Sequence, residues 1–505
     1  MKQNGYMTVY LGLIAVVLTA FMFGLMRNAR IIYMQKSAYD RTKVSADAML
    51  SDYCIPLAED YGLFAIDGGY DTKKLSLTTL EDNVSALIDM NKEMWSADGA
   101  AETFEKADIS SAEMLITEDM QTLRDQILNY AKYHMTIDAA KAIFEADTVN
   151  DILDKKDGYV ETLDKEEEAA EKALKEYEEE QEEGEEDGTG GEEGSAGEGG
   201  ASHWWELVQD PRGTIGDLAS KGILRLTLPK DFRVSDKEMK DFCCMDTDDG
   251  FDIPFISNFR TRHSINAAFN SLTDRLVYDG EEVLVNEYIL TILPNALTEN
   301  KTGGPCLDYR TEYVICGHET DEENLKSTVN RLLVLRTVFN LTYLTTDAAK
   351  KAAAHSVATA VTFLLPFLEY IVYWLILCAW AYAEAIIDVR RLCSGKKVPL
   401  IKTHDQWNLT MDNLKMLSES ALESFGQDEK DGKGLTYKDY LRLLLAGLPD
   451  EKKYRRLAGM IEADIRSREG YEHFCISNCI TGFTVKAMYD AGTYEPYQVV
   501  YHTAY

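Results

Sequence analysis

The most restrictive feature of the chain is an apolar run close to its start. The twenty residues from Met7 to Met26 carry no charge. At about 1.5 Å of rise per residue, a helix of that length spans roughly 30 Å, which is the thickness of the hydrocarbon core of a bilayer. The sequence therefore predicts a transmembrane helix over 7–26, after a short N-terminal segment, 1–6.

The same run differs from a cleaved secretory leader. A leader has a basic start, an apolar run of about 7 to 15 residues and a cleavage site made of small residues. Here the run is longer, and its end, GLMR (24–27), has no such site. We predict an uncleaved anchor. Arg27 and Arg30 favour a cytoplasmic C-terminal flank, but a large domain can cross regardless of flanking charge, and we expect Gly5 inside and the bulk of the chain extracytoplasmic.

The helical pattern does not stop at the end of the apolar run. Apolar residues continue near a 3.6-residue rhythm to about Glu59, with Pro56 expected to kink the last turn. One helix of roughly fifty residues is predicted, and it ends at Gly62. Residues 63–66 then have the pattern of a strand and residues 67–69 that of a tight turn.

Charge divides the rest of the chain. The net charge is −34, and residues 161–200 alone hold 18 Asp or Glu and 3 Lys. Residues 27–160, mostly helical from residue 80 onward, form a predicted helical stalk and the first part of an extracytoplasmic domain. Residues 161–202 form an acidic Glu/Gly linker with nothing to bury. A surface this acidic repels phosphates, so no nucleic-acid partner is predicted.

Residues 203–505 are predicted to form an α+β extracytoplasmic domain in which helices outnumber strands. A helix beginning after Thr320 has the spacing of a capping box with Glu323 and an apolar face that includes Leu325 and Val329. Further helices are predicted over 264–276 and 281–293. Strands are predicted over 222–229, 308–317, 471–478, 482–490 and 497–505. The predicted fold class is α+β: an N-terminal transmembrane helix that continues into a long helix, and a mostly helical domain with an antiparallel sheet.

A second apolar tract, 356–391, has two interpretations. Pro366 and Glu369 divide it into shorter uncharged runs, which is typical of buried core helices. Residues 356–385 of this tract could also span a bilayer, and the basic residues that follow would make a fitting cytoplasmic flank. The sequence leaves both a single-pass and a two-pass topology open.

The sequence contains no complete motif for catalysis or metal binding among those considered below. His318-Glu319 begins like a zinc-protease motif, but the position for the second histidine holds Glu322. A calcium-like loop around Gly434 has a lysine at a ligand position. No catalytic, cofactor-binding or metal-binding residue is predicted. Cys475 and Cys479 are a candidate disulfide, with two buried thiols as the alternative.

Several pieces of the chain resemble known families. The start, GYMTVY (5–10), resembles TadE/TadG-like pseudopilins of tight-adherence pili. Five further pieces resemble a clostridial-type family of membrane-anchored proteins of unknown function that accompanies these pilus systems. They are DYGLFAID (60–67), VLVNEYIL (283–290), EYVICGHETDEENLKSTVNRLLVLR (312–336), AYAEAIIDVRRLCSGKKVPLIKT (381–403) and GLTYKDYLRLLL (434–445). In pilin-like subunits the residue five after the leader glycine is typically glutamate, and here it is Tyr10, so processing after Gly5 and major-subunit packing do not follow from the resemblance.

The resemblance implies a non-enzymatic, membrane-anchored component of a tight-adherence-type pilus or secretion apparatus. Its expected partners are membrane lipid, other membrane proteins of that apparatus and possible further copies of the chain. Small residues of the anchor are candidates for helix packing: Gly12, Ala15, Ala20 and Gly24. The alternatives are an extracytoplasmic enzyme on a membrane tether and a surface-binding module.

Overall fold

The structure is a computed structural model of the full chain. It describes residues 4–91, 103–134, 156–176 with gaps at 167, 170, 171 and 174, 222–239, 280–298, 306–363, 368–415, 434–492 and 495–505. All structural statements below concern these residues. The predicted helix over 264–276 and most of the acidic linker lie outside them.

Helices dominate the described chain, and the strands are few. The helices are α1 (Asn4–Met49), α2 (Ile55–Tyr61), α3 (Leu77–Met90), α4 (Gln121–His134), α5 (Ile223–Thr227), α6 (Gly280–Ile292), α7 (Arg310–Cys316), α8 (Asp321–Thr346), α9 (Ala348–Val361), α10 (Glu369–Cys393), α11 (Met411–Lys415), α12 (Tyr437–Ala446) and α13 (Asp450–Arg466). The strands are β1 (Ile66–Asp67), β2 (Thr103–Met114), β3 (Cys479–Asp490) and β4 (Tyr497–Ala504). The mixed α+β class with an antiparallel sheet is confirmed.

The chain divides into two compact units. Unit 1 joins residues 1–127 to residues 461–505, and unit 2 holds residues 128–460. The C-terminal strands, which the sequence analysis places with the domain after the linker, therefore belong to the same unit as the N-terminal helix.

Unit 1 is built on an antiparallel sheet with β3 at its centre. β2 pairs along one side of β3, from Thr103 opposite Asp490 to Met114 opposite Ile480. β4 pairs along the other side, with the two-residue β1 beyond its end. α1 and α3 pack on this sheet, and their buried residues share one apolar core with it. α3 supplies Leu80, Val84 and Ile88 at a spacing of four residues, which places all three on one helix face.

Unit 2 is helical in its described part and is centred on two long helices. α8 and α10 pack against each other, and α5 and α9 contact both of them. α8 begins as predicted, because the Thr320 side chain accepts a hydrogen bond from the Glu323 backbone N–H. In the apolar window of α10, 72% of the residues are buried inside the structure. The part of the second apolar tract that forms α10 is thus mostly buried against the rest of unit 2, and whether the tract also spans a membrane stays a prediction.

Two segments predicted as strands are helices. Residues 222–229 contain α5, and residues 308–317 contain α7. A short apolar run cannot distinguish a strand from a buried helix by its periodicity. Every residue of α7 is buried, so packing on all sides overrides the β-propensity of its Tyr and Val residues.

Other differences arise near turns and from distant pairing. β2 lies in a region predicted as mostly helical, and its partner β3 is more than 350 residues away, beyond the reach of a local pattern. Residues 471–478 form turns and a short 3-10 helix at 476–478 instead of a strand. Of the strand predicted over 63–66, only Ile66 pairs with β3, and Asp67, which was predicted in the turn, pairs with it as well. Pro56 stands in the first turn of a new helix, α2, so the long helix ends at Met49.

Candidate functional site: an exposed apolar helix on a folded base

The N-terminal half of α1 projects from unit 1 without covering protein. Every residue from Tyr6 to Arg30 is exposed. The apolar window of this helix has a mean hydropathy of 2.4, and none of it is buried in the structure. Soluble proteins rarely expose contiguous apolar patches larger than a few hundred Å². Within the described chain, no protein group buries this half of the helix.

The C-terminal half of the same helix is docked on the sheet. Its buried positions recur every three or four residues from Met34 to Met49 and form one stripe. The hydroxyl of Tyr497 donates to the carbonyl of Met34 at 3.1 Å, and the hydroxyl of Tyr489 lies 2.7 Å from that of Thr42. These bonds tie both strands of the C-terminal hairpin to the helix.

A second set of bonds holds the helix further along. The carboxylate of Asp47 accepts from the Tyr501 hydroxyl at 3.0 Å and from the Thr503 hydroxyl at 2.8 Å. The Asn91 amide donates to Ser45 at 2.9 Å. One unbroken helix thus has an exposed apolar half and a half fixed to a folded base.

Arg41 is the unusual residue of the docked half. Its side chain is only 2% exposed, and its guanidinium carbon lies 4.9 Å from the centre of the Tyr489 ring. Its Nε and Nη2 atoms have no hydrogen-bond partner. The aromatic face stabilises the charge in part, because the ring quadrupole attracts cations.

The small residues of the exposed half are spread around the helix. A Cβ added to Gly12 or to Gly24 would meet nothing within 4 Å. At about 100° per residue, Ala15 and Gly24 lie half a turn apart, whereas Ala20 and Gly24 lie on neighbouring positions of one face. A partner helix could thus approach closely along a face that includes Ala20 and Gly24.

Cys475 and Cys479 lie in unit 1 as free, buried thiols. The Cys479 thiol is 3.9 Å from the backbone carbonyl of Cys475. Burial raises the pKa of Cys479 well above its ordinary value, and burial raises that of Cys54 to about 11. The thiols of Cys479 and Cys54 are therefore protonated at neutral pH, whereas a reactive cysteine needs thiolate character. The disulfide between Cys475 and Cys479 stays a prediction.

Unit 2 contains a buried charge cluster, which we define as Arg336, Glu384, Asp388 and Lys402. Arg336 donates to Asp388 from Nη2 at 2.9 Å, and the Lys402 ammonium lies 2.5 Å from the other oxygen of Asp388. Burial opposes ionisation of Asp388, but the attraction of Lys402 and Arg336 outweighs it and holds the pKa of Asp388 below its usual range. The two cations and two carboxylates give the cluster a net charge of zero within the core.

The remaining bonds of the charge cluster also go to protein groups. Glu384 pairs with Lys402 and accepts from the backbone N–H groups of Asn408 and Leu409, both at 2.9 Å. Arg336 also donates to the carbonyl of Leu400 at 2.6 Å. The cluster thereby fastens the segment after α10 to the α8–α10 pair. The charged groups of the cluster bond to protein groups, so the cluster acts as a structural clamp between these segments. Substrate binding would need a donor or acceptor that is open to a ligand.

Glu312 is a second buried acid in unit 2. One of its carboxylate oxygens accepts from the Tyr437 hydroxyl and from the Ala296 N–H, both at 2.9 Å, and the other has no hydrogen-bond partner. Burial raises the pKa of Glu312 to about 7, against the effect of these bonds. This carboxyl is therefore poised to change charge near neutral pH.

The motifs examined for metal binding have other roles. The His318 imidazole lies 2.7 Å from the Ser327 hydroxyl, and Glu322 is exposed. A Cβ on Gly434 would lie 2.5 Å from the backbone of Val398, so this glycine permits a close chain approach. The loop before Gly434 lies outside the described residues. Within the described ranges, no group of three or more His, Cys, Asp or Glu side chains could hold a metal ion.

Comparison with protein families gives one match. Residues 205–491, more than half of the chain, match a family described as "Family of unknown function (DUF5702)". The chain belongs to the DUF5702 family. No curated protein and no solved structure matches it. The DUF5702 segment includes the charge cluster and Glu312 but ends before β4, and it does not reach α1, so the family match carries no information about the exposed helix.

The apolar helix was predicted from the sequence, but the buried acids were not. The sequence does contain a pattern that indicates the charge cluster. Glu384 and Asp388 stand four residues apart inside an apolar tract, and this spacing places both on one helix face. Their partners Arg336 and Lys402 come from other segments, and only the packing of α8 on α10 brings them together.

Proposed function

We propose that the protein is a non-enzymatic, membrane-anchored component of a tight-adherence-type pilus or secretion apparatus. The proposal is carried by the two halves of α1. The exposed half contains twenty uncharged residues, and the other half is fixed to a folded base. In this proposal residues 7–26 cross the membrane once, with Gly5 inside and the bulk of the chain outside.

A bilayer supplies the cover that the exposed half lacks. A helix has all its backbone hydrogen bonds within itself, so lipid can surround it without unpaired polar groups. Since the helix runs unbroken into its docked half, its packing in the membrane would determine how unit 1 is presented. Helices associate in lipid through small residues, and Ala20 and Gly24 offer such a face to another subunit or another copy of this chain.

The resemblance to pilus-associated proteins supports the second part of the proposal. The five matching pieces fall in described elements: residues 60–67 end α2 and include β1, and the others fall in α6, α7–α8, α10 with the segment after it, and α12. Two of these pieces, 312–336 and 381–403, supply Glu312, Arg336, Glu384 and Asp388, which make buried contacts in unit 2. The resemblance thus extends over core-building segments and the pilin-like start.

The test combines a deletion with site-specific photocrosslinking in the host. A photoreactive residue at position 24, or separately at position 12, should capture membrane proteins of the pilus apparatus. The matched control is the same residue at position 105, where Glu105 is exposed on β2. Deletion of the gene should reduce pilus assembly or secretion.

The outcomes separate the proposal from its alternatives. Capture at position 24 but not at position 105, together with a pilus or secretion defect, supports it. Unchanged assembly and secretion with no captured apparatus protein contradict it, and a tethered enzyme or binding module then becomes the better account.

A further inference from the structure

Unit 2 contains a cavity of about 330 Å³ beside the end of α10. The cavity is formed by α5, by the loop that follows it to residue 234, and by Arg390 in the last turn of α10. Its apolar wall includes Leu224, Leu228 and Phe232. It is separate from the charge cluster and from Glu312, neither of which lines it.

The charged lining of this cavity has a single sign. Arg225, Lys230 and Arg390 line it, and no acidic side chain does so in the described chain, although Asp231 is adjacent in sequence. The protein as a whole carries a net charge of −34. Arg225 and Lys230 also interact with other groups, so Arg390 is the cation that would attract an anion most directly.

Arg390 is the central cation because it is buried. Its side chain is 6% exposed, and its Nη1 atom donates to the carbonyl of Leu226 at 2.9 Å. That bond fixes the guanidinium at the cavity wall, but a carbonyl does not neutralise the charge. Within the described residues Arg390 makes no ion pair. A buried cation without a carboxylate gains from an anionic ligand, because charge-assisted hydrogen bonds are about twice as strong as neutral ones.

The size of the cavity limits the ligand. Pockets for small molecules range over about 300–1,000 Å³, so this cavity is at the small end and cannot enclose a lipid with two acyl chains. Its lining combines an apolar wall with guanidinium and ammonium groups. A ligand that uses both has one ring or a short chain bearing a carboxylate or a phosphate.

We propose that this cavity binds a small organic anion with an apolar body, held by Arg390 and closed on the solvent side by Arg225 and Lys230. This function is additional to the membrane role and does not depend on it. A binding site of this kind would make the DUF5702 segment a ligand-sensing or ligand-carrying part of an anchored protein.

The experiment is calorimetric titration of the purified full chain in a non-ionic detergent. The probe is phenyl phosphate, which is water-soluble and combines a ring with a phosphate. Phenol and inorganic phosphate are titrated in parallel as its two halves. We expect one site per chain, with phenyl phosphate bound more tightly than either half. The double variant Arg225→Gln/Lys230→Gln should bind it about tenfold more weakly, a loss of about 1.4 kcal/mol, because both cations are exposed and solvent screens their attraction for the anion.

Controls keep the result interpretable. Lys397→Gln removes the same charge from an exposed position outside the cavity and should leave the affinity unchanged. Arg390→Gln should abolish binding, and circular dichroism shows whether that variant is folded. If it is not folded, the exposed double variant still decides the question.

Three outcomes overturn the proposal. The first is that phenyl phosphate does not bind. The second is that it binds equally well to the double variant and to the wild type. The third is that phenol or inorganic phosphate binds as tightly as phenyl phosphate. If binding appears only after deletion of residues 178–202, the cavity is occupied by the chain's own acidic tract, and the inference of a small-molecule ligand is wrong.

Discussion

Two helices of this protein, α1 and α10, are long and apolar enough to cross a membrane, but they differ in how much of their surface the protein buries. The N-terminal half of α1 has no buried residue in its apolar window, whereas 72% of the window in α10 is buried. The difference in sequence is charge. Residues 7–26 have none, but α10 contains Glu384 and Asp388, which find Lys402 and Arg336 inside unit 2. Hydropathy thus identifies helices that avoid water, and the pairing of their charges indicates what covers them.

The strongest contrast comes from placing one charge in each helix. Ile376 in α10 is fully buried, and Val16 in α1 is 65% exposed. Ile376→Asp should prevent unit 2 from folding, because an unpaired buried carboxylate costs several kcal/mol beyond the lost apolar contacts. Val16→Asp should leave the folded base intact and weaken membrane insertion by about 2.5–3.5 kcal/mol.

Far-UV circular dichroism and protease resistance in detergent would report the folding of these two variants, and flotation with membranes would report insertion. A folded Ile376→Asp protein would contradict the assignment of α10 to the core. A Val16→Asp variant that unfolds would contradict the independence of the exposed half.

Breaking the charge cluster is expected to have the next largest effect. Lys402→Ala leaves Glu384 and Asp388 with Arg336 as their remaining cation, and it should destabilise unit 2 by about 3–5 kcal/mol. Urea denaturation monitored by tryptophan fluorescence suits this measurement, because the centre of the Trp407 ring lies 5.5 Å from the Lys402 ammonium. The control is Lys165→Ala, which breaks an exposed pair with Glu161 and should change stability by less than about 0.5 kcal/mol. Equal effects of the two substitutions would show that the cluster is not the clamp described above.

The pH dependence of stability tests whether water reaches the buried carboxyl of Glu312 in unit 2. Burial raises the pKa of Glu312 to about 7 from an ordinary value of 4.5, so the folded state holds this proton more tightly than the unfolded state. The resulting stabilisation is fully present below about pH 4.5 and is lost as pH rises through about 7. It amounts to roughly 3 kcal/mol, since one pKa unit corresponds to about 1.4 kcal/mol.

Glu312→Gln removes this titration. Between pH 4.5 and 8, we expect the wild type to lose roughly 3 kcal/mol of stability relative to Glu312→Gln, measured as free energy of unfolding in urea at each pH. The exposed Glu322→Gln should follow the wild type across the series. Parallel curves for wild type and Glu312→Gln would mean that water reaches this carboxyl.

Features encoded locally could be predicted from the sequence. The apolar run from Met7 to Met26 needs no partner to be recognised, and the capping box of Thr320 and Glu323 starts α8 as its spacing indicates. β3 and β4 were also predicted, because each has a long run rich in β-branched and aromatic residues.

Features that depend on distant partners could not be predicted. β2 becomes a strand through its pairing with β3, and α7 becomes a helix because every residue from Arg310 to Cys316 is buried. The cavity joins residues 224–234 to Arg390, more than 150 positions later. No local window contains these relationships, and they follow only from the packing of whole elements.

The central claim is that the exposed half of α1, and not α10, holds the protein in the membrane. Alkaline carbonate extraction of host membranes tests it directly when the full chain is compared with a chain that begins at residue 31. The shortened chain keeps the docked stripe from Met34 onward and should retain its sheet, which circular dichroism can verify.

The account predicts that the full chain stays in the membrane pellet and that the shortened chain moves to the supernatant. Release of the full chain would contradict the anchor. Retention of a folded shortened chain in the pellet would show that α10 or another segment holds the membrane, and the contrast between the two helices would then be wrong.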